Sequence, residues 1–130
     1  INNAVYGATG GQAAPTTLVG QKTTSYPSGR DPSYAGYPIN MAEVIGSVSR
    51  NSYVARVALN NVGNILKAKN AVIRAFKTQE KRLGFSFVEM LSACPTGWQM
   101  TPLESLKWIE EKMIQQYPLG EFKIPQGLEK

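Results

Sequence analysis

The sequence has 130 residues, of which 42% are hydrophobic and 18% are charged, a composition typical of one globular domain rather than a disordered chain. Histidine is absent, which excludes a Ser-His-Asp triad and an HExxH zinc site within these residues. The net charge of +5 does not come from a run of basic residues, so we expect no nucleic-acid partner. No stretch of about 18 apolar residues occurs, so we expect a cytoplasmic protein that spans no membrane.

The first predicted element is a short strand that ends in a glycine-rich turn, within the segment INNAVYGATGGQAAPTT at residues 1–17. Three glycines between positions 7 and 11 let the backbone turn sharply, and the N–H groups of such a turn can bind a phosphate. Asn3 and Val5 lie two apart in an extended stretch, so a side-chain oxygen and a main-chain carbonyl can reach one Mg²⁺ ion. A purely structural turn is the alternative, because the spacing matches neither the Walker loop nor the dinucleotide motif.

A loop is predicted from Leu18 to Asn40, where prolines and glycines recur and no helical or strand period is present. Long loops are often functional, so this one is expected either to be held by its tyrosines or to cover a cofactor or another subunit. The tyrosines in question are Tyr26, Tyr34 and Tyr37.

A helix is predicted from Asn40 to Ser49, with Asn40 as the N-cap and Glu43 as its partner in a capping box. The next segment, Tyr53–Leu59, is rich in β-branched and aromatic residues and nearly alternating, which is typical of a strand. The large apolar side chains of the helix are expected to pack on the sheet. They are Met41, Val44, Ile45 and Val48.

A longer helix is predicted to begin after Asn60 or Asn61 and to continue to about Arg82, where Leu83 and Gly84 end it. Its apolar residues recur at helical spacing, so they are expected to form a buried stripe. The stripe consists of Val62, Ile65, Leu66, Val72, Ile73 and Phe76.

The strand Phe85–Leu91 follows, and its one acidic residue, Glu89, is catalytic, paired with a base or exposed to solvent. After a loop, Thr101, Pro102 and Glu104 predict a helix start, because they supply an N-cap, a first helical residue and a capping-box partner. The helix is expected to continue to about Gln116 and to bury Leu103, Leu106, Trp108, Ile109 and Met113.

Residues 117–130 are predicted to form a tail, because prolines and glycines interrupt them. The alternation of strands and helices predicts an α/β fold with a mostly parallel sheet flanked by helices. Ile1 lies at what looks like the end of a strand, so we expect residues 1–130 to be a single partial domain whose sheet continues upstream.

The one cysteine, Cys94, lies on the loop between the last predicted strand and the last predicted helix. It cannot form an internal disulfide, and a lone cysteine is most often a small buried hydrophobe. An iron–sulfur cluster takes four thiolate ligands, so Cys94 can complete one only together with cysteines from elsewhere.

Seven segments of the chain resemble the β subunits of 2-oxoacid:ferredoxin oxidoreductases of the 2-oxoisovalerate, or branched-chain, type. These segments cover most of the chain and are NNAVYGATGGQAAPTT, GQKTT, GRDP, GYPI, YVAR, CPTGW and PLGEFK. The first is similar to the second half of the thiamine-diphosphate motif of that family. The chain is thereby identified as the C-terminal part of a thiamine-diphosphate-binding subunit, with a GDG segment and three cysteines expected upstream.

The resemblance implies the cofactors and their ligands. It implies that the side chain of Asn3 and the carbonyl of Val5 bind the Mg²⁺ that accompanies thiamine diphosphate. It also implies that Cys94 is the last ligand of a 4Fe–4S cluster. The implied cofactor-binding residues are Tyr6, Gly7, Thr9, Gly10 and Gly11.

The implied reaction is the oxidative decarboxylation of a 2-oxoacid to an acyl-CoA, with electrons passed through the cluster to ferredoxin. The implied partners are therefore the 2-oxoacid, CoA, ferredoxin and other subunits of a complex. No catalytic residue is identified, and this chain alone is expected to be inactive without the upstream half. The alternative is a non-catalytic α/β module with a structural glycine-rich turn, whose loop and tail bind another protein.

Overall fold

The computed structural model describes residues 1–128, and the first sheet is a short antiparallel hairpin. Strand β1 (Val5–Tyr6) pairs with β2 (Gln12–Ala13), and a 3₁₀ turn at Gly7–Thr9 connects them. Gly10 completes the turn with a φ of 119°, a left-handed conformation that glycine adopts without steric cost. The predicted strand and its glycine-rich turn are therefore present.

The segment from Leu18 to Asn40 is mostly irregular, as predicted, and contains the one-turn helix α1 (Pro32–Ala35). The buried guanidinium of Arg30 organises this loop by donating hydrogen bonds to main-chain carbonyls on both sides of it. The acceptors are the carbonyls of Ala14, Pro15, Thr17, Ala35, Gly36 and Tyr37. Tyr34 is exposed but packs edge-to-face against Tyr26, with ring centres 6.5 Å apart. The expectation that tyrosines hold the loop is wrong for Tyr37, which is exposed.

Helix α2 (Met41–Val48) begins directly after Asn40, as predicted, but without the expected capping box. The side chain of Asn40 caps no N–H group of the helix. The carboxylate of Glu43 pairs instead with Arg56, because a guanidinium within reach binds a carboxylate more strongly than a main-chain N–H group does.

A parallel β-α-β unit follows, close to the predicted bounds. It consists of β3 (Ser52–Ala58), α3 (Val62–Glu80) and β4 (Phe85–Leu91). Asn61 is the N-cap of α3, and its side chain accepts a hydrogen bond from the N–H group of Asn64 at 2.9 Å. All 7 residues of β3 are buried, as expected for a strand between two others.

Helices α2 and α3 turn small side chains, rather than the predicted large ones, toward the sheet. Ala42 is the buried residue of α2, whereas Val44 and Val48 are exposed. Ala68 and Ala71 are buried in α3, because small side chains let a helix lie close to a sheet. The stripe that was predicted to be buried is therefore largely exposed. Its exposed members are Val62, Ile65, Leu66, Ile73 and Phe76.

The C-terminal helical region follows the one-turn helix α4 (Pro95–Trp98). It consists of α5 (Pro102–Trp108), a π-helical segment (Ile109–Met113) and α6 (Ile114–Gln116). Its capping box is confirmed, since the side chains of Thr101 and Glu104 bond each other's main-chain N–H groups. Ile109 and Met113 are fully buried, as predicted, and pack against Ala4 and Val5 of the hairpin region, whereas Leu103 is exposed.

The predicted tail contains a strand that the sequence did not reveal. Strand β5 (Gly120–Lys123) pairs antiparallel with β3, so the central sheet has the order β4-β3-β5 and is mixed rather than mostly parallel. The last two residues of the predicted tail, 129 and 130, lie outside the described residues. The α/β fold is confirmed, and no helix within residues 1–128 is long and apolar enough to cross a membrane.

Candidate cofactor and metal site

The candidate site lies where β4 ends. Asn2 forms a parallel bridge with Leu91, the last residue of β4, and its N–H group donates to the Met90 carbonyl at 2.8 Å. The N–H group of Ser92 then donates to the Asn2 carbonyl at 3.0 Å. Ligands of open α/β sheets bind outside the carboxyl ends of the parallel strands, and the hairpin stands at that position.

The side chain of Asn3 is held by two hydrogen bonds from its amide nitrogen. Its amide nitrogen donates to the carbonyls of Ser92 at 2.9 Å and Ala93 at 3.3 Å, so its amide oxygen points away from these carbonyls. A neutral amide oxygen suits the shell of Mg²⁺. Asn3 and Val5 also line one cleft of about 350 Å³, so the types of oxygen that they offer there fit the implied metal.

The stretch from Asn3 to Val5 is not extended, contrary to the sequence-based expectation. Ala4 has a φ of 56°, which is rare for alanine. The turn is held by the hydroxyl of Thr17, which donates to the Ala4 carbonyl at 2.6 Å, and by the indole of Trp98, which donates to the Asn3 carbonyl at 2.8 Å. The relative placement of the two candidate Mg²⁺ donors is therefore determined by a turn.

The glycine-rich turn presents four of its five predicted cofactor-binding residues to solvent. Only Gly11 is buried, and its N–H group donates to the Tyr6 carbonyl at 2.9 Å. The hydroxyl of Thr9 donates to the Gln12 side chain at 2.8 Å, and the Gln12 amide donates back to the Thr9 carbonyl at 2.8 Å. The four exposed residues are Tyr6, Gly7, Thr9 and Gly10.

Cys94 packs directly against this turn. A Cβ atom added at Gly7 would lie 2.6 Å from the Cys94 Sγ, and one added at Gly97 would lie 2.8 Å from it. The candidate cluster ligand and the candidate cofactor turn are therefore in contact. A 4Fe–4S cluster takes four thiolates, whereas the chain has one cysteine, and residues 1–128 contain no group of three His, Cys, Asp or Glu residues that could hold a metal.

A buried ionic network next to the site was missed by the sequence analysis. The Arg56 side chain is 0% exposed and donates to Glu89 at 2.7 Å and to Glu43 at 3.0 Å. Of the three alternatives for Glu89, pairing with a base is the one observed, since its side chain is buried against Arg56. The hydrogen bonds from Arg56 hold the pKa of Glu43 below its ordinary value. The sequence signal for this network was the one charged residue of β3, Arg56, which lies opposite the one acidic residue of β4, Glu89.

The sequence is 43% identical over 123 residues to the ketoisovalerate oxidoreductase subunit VorA of Methanothermobacter marburgensis, covering 95% of this chain and 26% of that subunit. It is 37% identical over 111 residues to the 2-oxoglutarate synthase subunit KorB of Archaeoglobus fulgidus, covering 85% of this chain and 37% of that subunit. The chain is related to subunits of the 2-oxoacid:ferredoxin oxidoreductases. The pyruvate synthase subunit PorB of Pyrococcus furiosus is 31% identical over 103 residues, covering 79% of this chain and 29% of that subunit. No family model and no solved structure matches the chain.

The chain spans 26% to 37% of the length of these three similar proteins. Its hairpin brings together the candidate residues that the sequence placed far apart. Val5 lies beside Gly97, where an added Cβ would be 3.2 Å from the Val5 Cγ2, and Asn3 donates to the carbonyl that precedes Cys94.

Proposed function

We propose that the chain is part of the thiamine-diphosphate-binding subunit of an oxidoreductase that converts a 2-oxoacid to an acyl-CoA and reduces ferredoxin. The observation that carries the proposal is the contact between Cys94 and the Gly7 turn. A redox centre must lie close to the site that feeds it electrons, and this contact gives a cluster ligand such a position. The 43% identity to a ketoisovalerate oxidoreductase subunit supports a branched-chain substrate.

The residues of the hairpin have distinct roles in this proposal. Asn3, through its amide oxygen, and Val5, through its carbonyl, would hold Mg²⁺. When bound, thiamine diphosphate supplies the carbanion chemistry of the reaction. The turn would border its diphosphate through Tyr6, Gly7, Thr9, Gly10 and Gly11.

Cys94 would be one of the four ligands of a 4Fe–4S cluster, and the other three would come from outside these residues. The proposed partners are the other subunits of the complex, ferredoxin, CoA and the 2-oxoacid, and they support a cytoplasmic location. We do not expect the 130 residues to catalyse the reaction alone. Glu89, the carboxylate nearest in sequence to the site, accepts hydrogen bonds from Asn2 and Arg56.

Substitution of Asn3 tests the proposal in the full-length subunit within its complex. Asn3→Leu removes the amide oxygen, so thiamine-diphosphate binding in the presence of Mg²⁺ should be lost in calorimetric titration. Asn70→Leu is the matched control, because Asn70 is an exposed residue of α3, outside the hairpin. Unchanged affinity of the Asn3→Leu complex would refute the assignment of Asn3 as a Mg²⁺ ligand.

A further inference from the structure

The side chain of Asn2 forms hydrogen bonds through both its amide nitrogen and its amide oxygen, although Asn2 is not one of the proposed Mg²⁺ ligands. It is 7% exposed, and its amide nitrogen donates to the Glu89 carboxylate at 2.8 Å. Its amide oxygen accepts from the Ala4 N–H group at 2.9 Å and from the Thr16 hydroxyl at 2.9 Å. Asn2 therefore connects the end of β4 to the turn at Ala4.

The bond from Asn2 to Ala4 supports a conformation that alanine does not favour. The left-handed φ of 56° places the Ala4 Cβ close to its own carbonyl, which is unfavourable for any residue except glycine. Ala4 lies between Asn3 and Val5, the two proposed Mg²⁺ donors. A change in its backbone angles would redirect the Val5 carbonyl relative to the Asn3 side chain.

Glu89, which holds Asn2, is itself held by Arg56. Oε1 of Glu89 accepts from Asn2 and Oε2 accepts from the Arg56 Nε at 2.7 Å, so each oxygen has a partner. The Arg56 guanidinium also donates to Glu43 and to the Pro118 carbonyl, and it lies 5.3 Å from the ring centre of Tyr117. Helix α2, strand β4 and the segment before β5 therefore fix one guanidinium in place.

Stability alone does not explain this network. A buried ion pair loses so much hydration that well-packed apolar residues can often replace it without loss of stability. The Arg56 guanidinium also lies 5.3 Å from the ring centre of Tyr117 and 5.0 Å from that of Phe122, so an apolar side chain at position 56 would have aromatic neighbours. What an apolar side chain could not do is fix the Glu89 carboxylate toward Asn2.

We propose that Arg56 and Glu89 are positioning residues that act through Asn2 to orient Asn3 and Val5 toward Mg²⁺. This inference rests on the proposed function and names the residues outside the metal shell that determine its geometry. Partners of metal ligands that do not touch the metal typically contribute about 10- to 100-fold to metal affinity.

The test replaces the ion pair by apolar residues in the full-length subunit within its complex. Arg56→Met combined with Glu89→Leu leaves the Glu43 carboxylate and the Asn2 amide without these partners, so the thermal midpoint should fall while the complex still assembles. Mg²⁺-dependent thiamine-diphosphate binding should weaken about 10- to 100-fold. Amide hydrogen exchange in residues 2–6 should become faster at the same time. The control is Arg74→Met with Glu121→Leu, which removes a pair at 2.8 Å between α3 and β5 and should change neither readout.

If the double variant does not assemble, a second variant tests the same positioning role. Asn2→Ala leaves the Arg56–Glu89 pair intact and removes only the side chain that transmits its effect, so it should cause the same loss of affinity. The proposal is overturned if the assembled double variant, or Asn2→Ala, binds thiamine diphosphate as the wild type does and shows unchanged amide exchange in residues 2–6. Absence of thiamine-diphosphate binding by the wild-type complex would instead refute the proposed function, and hydrogen exchange in residues 2–6 would still test the positioning role.

Discussion

At the scale of single residues, Gly7 and Gly97 are needed because a side chain at either position would collide with Cys94, not because of their backbone conformation. Neither has a left-handed φ, in contrast to Gly10 and Gly11. Each instead lies where a Cβ would meet the Cys94 Sγ at less than 3 Å. The thiol therefore occupies a space that two glycines leave open, one on the hairpin and one on α4.

This geometry predicts a specific coupling between Gly7 and Cys94. Gly7→Ala should destabilise the full-length subunit by about 1 to 3 kcal/mol, the usual effect of an extra methyl group in a tight contact. In a Cys94→Ala background the same substitution should cost little, because the sulfur atom that it meets is gone. Thermal unfolding of the four proteins of this double-mutant cycle measures the difference.

The control for this cycle is Gly46→Ala on α2. A Cβ at Gly46 would make an ordinary contact with Phe122 at 3.7 Å, so alanine there should be neutral or should stabilise the helix by up to about 1 kcal/mol. An equal loss of stability from Gly7→Ala with and without the Cys94 sulfur would show that the thiol does not fill this space.

The sequence identified candidate site residues but not what holds them. Asn3, Gly7 and Cys94 could be named from local pattern and resemblance, whereas the left-handed Ala4 could not, because alanine gives no signal for that conformation. The partner of Glu89 was equally hidden. Arg56 is distant in sequence and reaches Glu89 only because β3 and β4 pair in register, residue 56 beside residue 89.

At the scale of elements, the apolar period of α3 predicted the helix but not the face that packs. Both faces of α3 carry apolar residues, and the larger side chains were expected to be the buried ones. The structure buries Ala68 and Ala71 against Tyr53, Ala55 and Val57 of β3. Strand β5 could not be predicted because its sequence, GEFK, shows no apolar alternation. Its pairing with β3 depends on main-chain groups, which leave no signal in the sequence.

The orientation of α3 can be tested with two opposite changes of size. Ala71→Leu should destabilise the protein by about 1 to 3 kcal/mol, because it inserts a large side chain between helix and sheet. Leu66→Ala should cost no more than about 0.5 kcal/mol, since Leu66 is exposed and alanine favours helices. Chemical denaturation of both variants measures these effects. The reverse ranking would mean that the stripe predicted from the sequence is the buried one.

At the scale of the whole molecule, the outward stripe of α3 leaves several large apolar side chains exposed on one side of the sheet. Its large side chains, such as Leu66 and Phe76, are 56% and 71% exposed. Basic residues flank them, and Lys69 and Lys77 lie among the same exposed turns of the helix. Apolar attraction and charge repulsion therefore oppose each other when two such surfaces approach.

This opposition predicts how the 130-residue chain behaves when it is expressed alone. It should associate through α3, and association should strengthen as salt rises, because salt screens the repulsion between lysines while the apolar contact persists. Leu66→Gln combined with Phe76→Gln should remain monomeric in sedimentation velocity at low and high salt. Val44→Gln with Val48→Gln is the matched control, since these residues are 47% and 76% exposed on α2 and should leave association unchanged. If both double variants associate as the parent chain does, another surface, such as the edge of β4 before its bridge with Asn2, must mediate the contact.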